Sequence, residues 1–159
     1  MVKIFSRIFL AAMFIAFLSI IAHAEEPFLI EVDGKRNCCM HNDFKKCSVE
    51  LQLKPGKYVA TPVKGAISRW RDNGTAKRQG ERPWEWYVNI EVAGDFHGLG
   101  SQVRYDKEED ALVSQREEKV IFEIKKMTFV RLWVEDEWEG RNYCSDNRGK
   151  LLMRIDKVE

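Results

Sequence analysis

Hydrophobic residues recur at alternate positions along much of this chain, in short runs divided by turn residues. The clearest run is Pro83 to Val92, where Trp84, Trp86, Val88, Ile90 and Val92 alternate with Glu85, Tyr87, Asn89 and Glu91. A period of two sends the two sets to opposite faces of a strand, so the pattern predicts a half-buried strand with Trp84 and Trp86 in the core. Ser48 to Lys54 repeats the alternation with Val49, Leu51 and Leu53 on one face. Tyr58 to Val63, Val120 to Ile124, Thr128 to Val134 and Lys150 to Asp156 read as further strands, and Phe28 to Ile30 can begin one. In Thr128 to Val134, Phe129, Arg131 and Trp133 share the face opposite Val130, Leu132 and Val134, which leaves the side taken by Trp133 open.

The separators are turn residues. Asp33-Gly34 is a turn signal, and Lys54-Pro55-Gly56-Lys57 is a turn that joins its two flanking strands as a hairpin. Pro62 cannot donate to a ladder and marks an edge or a bulge. The glycine-rich residues 94–102 read as a turn, Val103 to Tyr105 as a short strand, Lys107 to Ala111 as an acidic turn, and residues 112–118 admit a single helical turn. Residues 64–82 lack periodicity and predict a long surface loop, a class that is usually functional or mobile in compact domains. No convincing amphipathic helix and no internal repeat is found. About seven to nine strands with regular Gly and Pro turns predict an all-β fold, an antiparallel β-sandwich.

The first residues have a different pattern. Lys3 and Arg7 precede an apolar run from Ile8 to Ala22, and Ala22-His23-Ala24 is an A-x-A cleavage signature. Residues 1–24 therefore read as a secretory signal peptide, and residues 25–159 as a single β-sandwich domain of a secreted or periplasmic protein. No second long apolar run follows, so no integral membrane segment is expected after cleavage. Lys and Arg total 26 against 25 Asp and Glu. That balance gives no reason to expect nucleic acid as a partner.

Export changes the reading of Cys38, Cys39, Cys47 and Cys144, the four cysteines of the chain. In an oxidising compartment they are expected to pair as disulfides. A bond between the adjacent Cys38 and Cys39 would strain its ring. Either remaining pairing closes the polar cysteine loop, residues 35–47, and staples it to the C-terminal loop through Cys144. The alternative is a zinc or copper site from Cys38, Cys39, His41 and Cys47, whose spacing matches no familiar finger.

Between the last two strands lies an acidic loop holding Glu135, Asp136, Glu137, Glu139, Asp146 and Asn147 before Gly149. Calcium takes six to eight oxygens from carboxylates, amides and carbonyls, so Asp136, Asp146 and Asn147 are candidate ligands if the loop folds back. The plainer reading is a solvated hairpin loop in which Asp146 and Asn147 make the turn.

Several short motifs point the same way. A Pro-Gly turn leads into a strand, and Gly65-Ala66-Ile67-Ser68-Arg69-Trp70 follows. An apolar strand then ends in an acid (Leu132-Trp133-Val134-Glu135-Asp136), and Asn147-Arg148-Gly149-Lys150-Leu151 opens the closing strand. From Pro55 to Ile155 this pattern resembles the PA-IL-type (LecA-like) calcium-dependent, galactose-binding bacterial lectins. The resemblance implies their sandwich of two small sheets and a calcium ion that grips two sugar hydroxyls. Asp136 matches the family's strand-end Asp, and Asp146 and Asn147 stand where its Asn pair stands. A carbonyl near Arg69 or Trp70 would complete the shell. Residues 137–145 are longer than the family's loop and include Cys144. The family's His-Pro-x-Gln sugar contact has no counterpart, Gln79 being the candidate nearby, so galactose specificity does not carry over.

Aromatic rings stack on the apolar C–H faces of sugars, which makes the loop tryptophans Trp70 and Trp138 candidate ligand contacts, with plain packing as the alternative. Catalytic patterns are missing. His41 and His97 read as surface loop residues, no G-x-S-x-G, H-E-x-x-H or S-x-x-K occurs, and nothing singles out a carboxylate pair. The basic residues of 69–82 could meet an anionic surface or simply be solvated. The expected function is therefore non-enzymatic, calcium-dependent or calcium-independent binding of a carbohydrate or glycoconjugate. The alternative is a disulfide-stapled periplasmic interaction module, an enzyme inhibitor or envelope-assembly factor, without metal or sugar. Oligomeric state is not legible.

Overall fold

The computed structural model describes residues 26–68, 82–138 and 141–158, without the side chains of residues 41, 137, 138, 141 and 142. Residues 1–24, read above as a signal peptide, and most of the basic loop, with Trp70 and Gln79, lie outside the described residues.

The fold is all-β. Its strands are β1 (Phe28–Asp33), β2 (Cys38–Cys39), β3 (Val49–Leu53), β4 (Gly56–Ser68), β5 (Trp84–Val92), β6 (Asp95–Tyr105), β7 (Val120–Ile124), β8 (Thr128–Glu135), β9 (Glu137–Trp138), β10 (Arg141–Asn142) and β11 (Arg148–Lys157). A single α-helix, α1 (Glu108–Val113), and two 3-10 turns, His41–Lys46 and Cys144–Asp146, complete the described elements.

Nine strands form one continuous sheet that curls over on itself. One layer runs β1–β11–β4–β7 and the other β3–β8–β5–β6, every pairing within them antiparallel. β4 links the layers, because its last residues, Ile67 and Ser68, leave β7 behind and pair with Glu85 and Trp84 of β5. β2 runs parallel to the end of β8, with Cys38 opposite Val134. Both layers bury their alternate positions in one core that includes Tyr58, Trp86, Ile90, Leu132, Leu151 and Met153. This is the sandwich-like arrangement that period-two patterning predicts.

Several local expectations need correction. β3 and β4 are not a hairpin: β3 pairs with β8 and β4 with β11 and β7, so the Pro55–Gly56 corner carries the chain from one layer to the other. Residues 64–68 are strand, not loop. Beyond Gly94, which sits in the turn after β5, the glycine-rich stretch is also strand, the larger part of β6, and His97 lies on it opposite Ile90. Glycine is needed there because a Cβ on Gly100 would stand 2.3 Å from the Trp86 carbonyl oxygen, and one on Gly98 2.8 Å from the Tyr87 hydroxyl. The Pro62 bulge is present: Met153 faces Pro62 and Leu152 faces Lys64, so Val63 is the extra residue.

Two polar residues expected on the solvent side of β5 are buried. Glu91, 4% exposed, meets Arg131 Nη1 at 2.9 Å, while Arg131 Nε donates to Glu50 Oε1 at 2.6 Å. Glu91 also accepts the Gly94 N–H at 2.5 Å. Glu85 lies 3.9 Å from Arg104. Trp133 is buried on the face away from the main core, stacked on Phe44 with ring centroids 4.7 Å apart and edge-on to Phe96 at 6.0 Å. The 3-10 turn of the cysteine loop thus lays Phe44 over the outer face of β8.

Candidate functional site

The candidate site forms where β8 ends. Asp136 is the first residue after that strand, and its backbone carbonyl accepts the N–H of Tyr143 at 3.0 Å, which closes the acidic loop at its base. Between these two residues the chain makes the short β9–β10 ladder, with Trp138 paired to Arg141. The Trp138 side chain lies outside the described atoms. The 3-10 turn Cys144–Asp146 follows, with the Asp146 N–H on the Tyr143 carbonyl and the Asn147 N–H on that of Cys144. Asn147 is extended, at φ −69° and ψ 154°, and hands the chain to β11.

Disulfides fix this loop from the side. Cys38 pairs with Cys144 and Cys39 with Cys47, so none of the cysteines is free to hold zinc or copper. The Cys38–Cys144 bond ties β2, itself zipped to β8, to the turn that carries Asp146. Asn147 Nδ2 points at Cys38 Sγ, 3.2 Å away. The same cysteine loop is organised by Asn37, whose Oδ1 accepts the Asp33 N–H at 2.9 Å and whose Nδ2 donates to the Cys47 carbonyl at 2.8 Å.

Asp136, Asp146 and Asn147 therefore come to the same loop end. Asn147 is 4% exposed, and its Oδ1 is buried with no hydrogen-bond donor. Asp146 Oδ1 is in the same condition, and Asp136 Oδ2 is also shut off from solvent. A buried acceptor without a donor costs about 1–3 kcal/mol, and more if charged. A hard cation is one group that would satisfy the Asp146 and Asn147 oxygens, and a carboxylate and an amide are donor types that suit calcium. Among the described residues no three His, Cys, Asp or Glu side chains gather as a metal cluster. Any ion here would rely on the Asn147 amide and on carbonyls for the rest of its shell.

Next to this loop a groove of about 740 Å³ crosses the outer face of the β1–β11–β4 layer. Asn147 and Arg148 lie at one end, Lys150 and Leu152 form the floor, the Lys35–Arg36 turn stands on one side, and Lys64 and Glu108 on the other. Sequence reading missed it, since its residues come from four separate elements with no shared spacing. Asp33 lines it too. Burial pushes its carboxyl up, but the N–H groups of Arg36 and Lys35, aided by the charges of Arg36 and Lys150, outweigh this and hold it below the usual carboxylate range.

No family model matches the chain, and no curated protein matches it. Among solved structures, the chain is similar to the EclA N-terminal domain, a PllA-like lectin, at 13% sequence identity and a TM-score of 0.46 over 82% of this chain and 96% of that one.

Proposed function

We propose that this protein is an exported, non-enzymatic carbohydrate-binding domain that uses calcium at the loop holding Asp136, Asp146 and Asn147. The observation that carries the reading is the pair of buried acceptor oxygens, Asp146 Oδ1 and Asn147 Oδ1, that lack a hydrogen-bond donor on adjacent residues of one turn. Both belong to residues matching the calcium-binding positions of the PA-IL-type lectins that the sequence resembles. When bound, calcium would supply open coordination positions for two hydroxyls of a sugar. The chain's own part is to fix the oxygens: the 3-10 turn sets Asp146 beside Asn147, and the Cys38–Cys144 bond holds the turn against β2.

Calorimetry with calcium and a glycan array test this, supported by melting in calcium and in chelator. A ligand that binds only the native state at a hundred times its Kd stabilises it by about 2.7 kcal/mol, a shift of several degrees. Asp146→Ala, at a half-buried position, is expected to abolish that shift without unfolding the domain. No calcium effect together with no glycan hit would remove the proposal.

A second reading has its own support. The loop is already stapled covalently and Asn147 already packs on Cys38, so the turn has a support that needs no ion. On that reading the domain is a protein-interaction module, and its melting temperature is indifferent to calcium.

A further inference from the structure

We propose that the groove on the outer face of the β1–β11–β4 layer receives a saccharide carrying an anionic substituent. This rests on the carbohydrate reading above and names the class of sugar. The groove starts at Asn147, one of the residues proposed to hold calcium, and runs past Arg148 to Lys64 on one wall and Lys35 and Arg36 on the other. A sugar gripped at the Asn147 end would extend across this floor.

The charges lining the groove are not balanced. Lys150 is occupied by Glu31, 2.6 Å away. Asp33 Oδ1 accepts the backbone N–H groups of Lys35 and Arg36, each at 2.9 Å. Among the described residues, no carboxylate lies within ion-pair distance of Lys35, Arg36 or Lys64, all three of them exposed. Glu108, on the wall made by α1, and the Asp33 carboxylate are the counterweights, and with Glu31 they make three acids against the five basic residues Lys35, Arg36, Lys64, Arg148 and Lys150. Two flexible ammonium groups and a guanidinium suit a carboxylate, sulfate or phosphate, the last grouping offering bidentate contacts. A neutral sugar would leave this excess of charge unused.

The full chain in calcium is titrated with an oligogalacturonide, a sulfated oligosaccharide and a neutral oligogalactose, at low and at physiological salt. We expect at least one anionic ligand to bind tenfold or more tightly than the neutral one and to weaken as salt rises. The triple change Lys35→Ala, Arg36→Ala, Lys64→Ala should erase that preference while leaving the melting temperature and any neutral-sugar binding in place. Lys126→Ala, on the turn between β7 and β8, should change nothing. Preference for the uronide or for the sulfated ligand identifies the substituent. Equal affinity for neutral and anionic sugars overturns the groove proposal and leaves the carbohydrate reading standing. Anionic binding that survives the triple change also overturns it, as does failure of all three ligands to bind, whereas the carbohydrate reading falls only with the calcium melt and the glycan array.

Discussion

Asp33 does several things with one carboxylate. It ends β1, caps the N–H groups of Lys35 and Arg36, and sits under the field of Arg36 and Lys150. Because its pKa is lowered in the folded state, it adds stability above the unfolded value, about 3.9, that is lost as pH falls through the folded value. Asp33→Asn can keep the turn but removes the titration. Unfolding by urea from pH 7 to 2 should therefore show a shallower acid loss for Asp33→Asn than for the wild type, and parallel curves would contradict this role. Gly149 makes a different demand. Its φ is +84°, and a Cβ there would lie 2.3 Å from the Ala66 carbonyl oxygen. Gly149→Ala should cost about 2 kcal/mol or more, read from the same urea curves. An unchanged midpoint would mean that β11 can shift away from β4 at no cost. Such residues mark what sequence reading can reach. The Asn147-Arg148-Gly149 motif is visible as a string, and Asp136, Asp146 and Asn147 can be named from the sequence only as candidate ligands. Trp70, Gln79 and the Trp138 ring lie outside the described atoms.

At the level of elements, the cysteine loop is the part whose behaviour follows most directly from chain statistics. The Cys38–Cys144 bond spans 106 residues and Cys39–Cys47 spans 8. In the loop-entropy account the longer closure is worth about 4–5 kcal/mol and the shorter about 2–3 kcal/mol. Replacing Cys38 and Cys144 together by serine should thus lower the denaturation midpoint more than replacing Cys39 and Cys47, and the reverse order would refute the assignment of the staple to the long bond. The same loop shields Trp133 through Phe44. Phe44→Ala should destabilise by about 1–2 kcal/mol and move tryptophan emission to longer wavelength; an unmoved spectrum would show that water does not reach the indole. These features were only half legible. Alternation identified β3, β5, β7 and β8 as strands, yet it says nothing about partners, so β3 and β4 read as a hairpin although they belong to different layers. Residues 94–102 misled because glycine advertises turns, whereas here it makes room for Tyr87 and Trp86 lying across a strand. The buried Glu91 was hidden for a related reason. Its counter-charge, Arg131, lies forty positions away in sequence.

For the molecule as a whole, the layered sheet sorts its strands into inner and outer. β4, β11, β5 and β8 each have neighbours on both sides, while β1, β3, β6 and β7 stand at the edges. Amide exchange should be slowest along the inner four and measurably faster at the edges, with Leu132 and Leu151 among the last to exchange; uniform protection would argue against separate edges. Fold class was the most legible property, since period two recurs in nearly every segment and cannot be accommodated by helices. The basic groove was the least legible, because only the pairing of β11 between β1 and β4 brings Lys35, Lys64 and Arg148 onto one face. That position of β11 has a further consequence for the order of assembly. Residues 148–157 form an inner strand of their layer, although β1 and β4, the strands they join, come far earlier in the chain. Until β11 docks, β1 and the body of β4 have no strand to join them, and the first layer stays open. Closure of that layer thus waits on contacts of long sequence separation, the kind that form slowly because a large loop must be closed before they reward it.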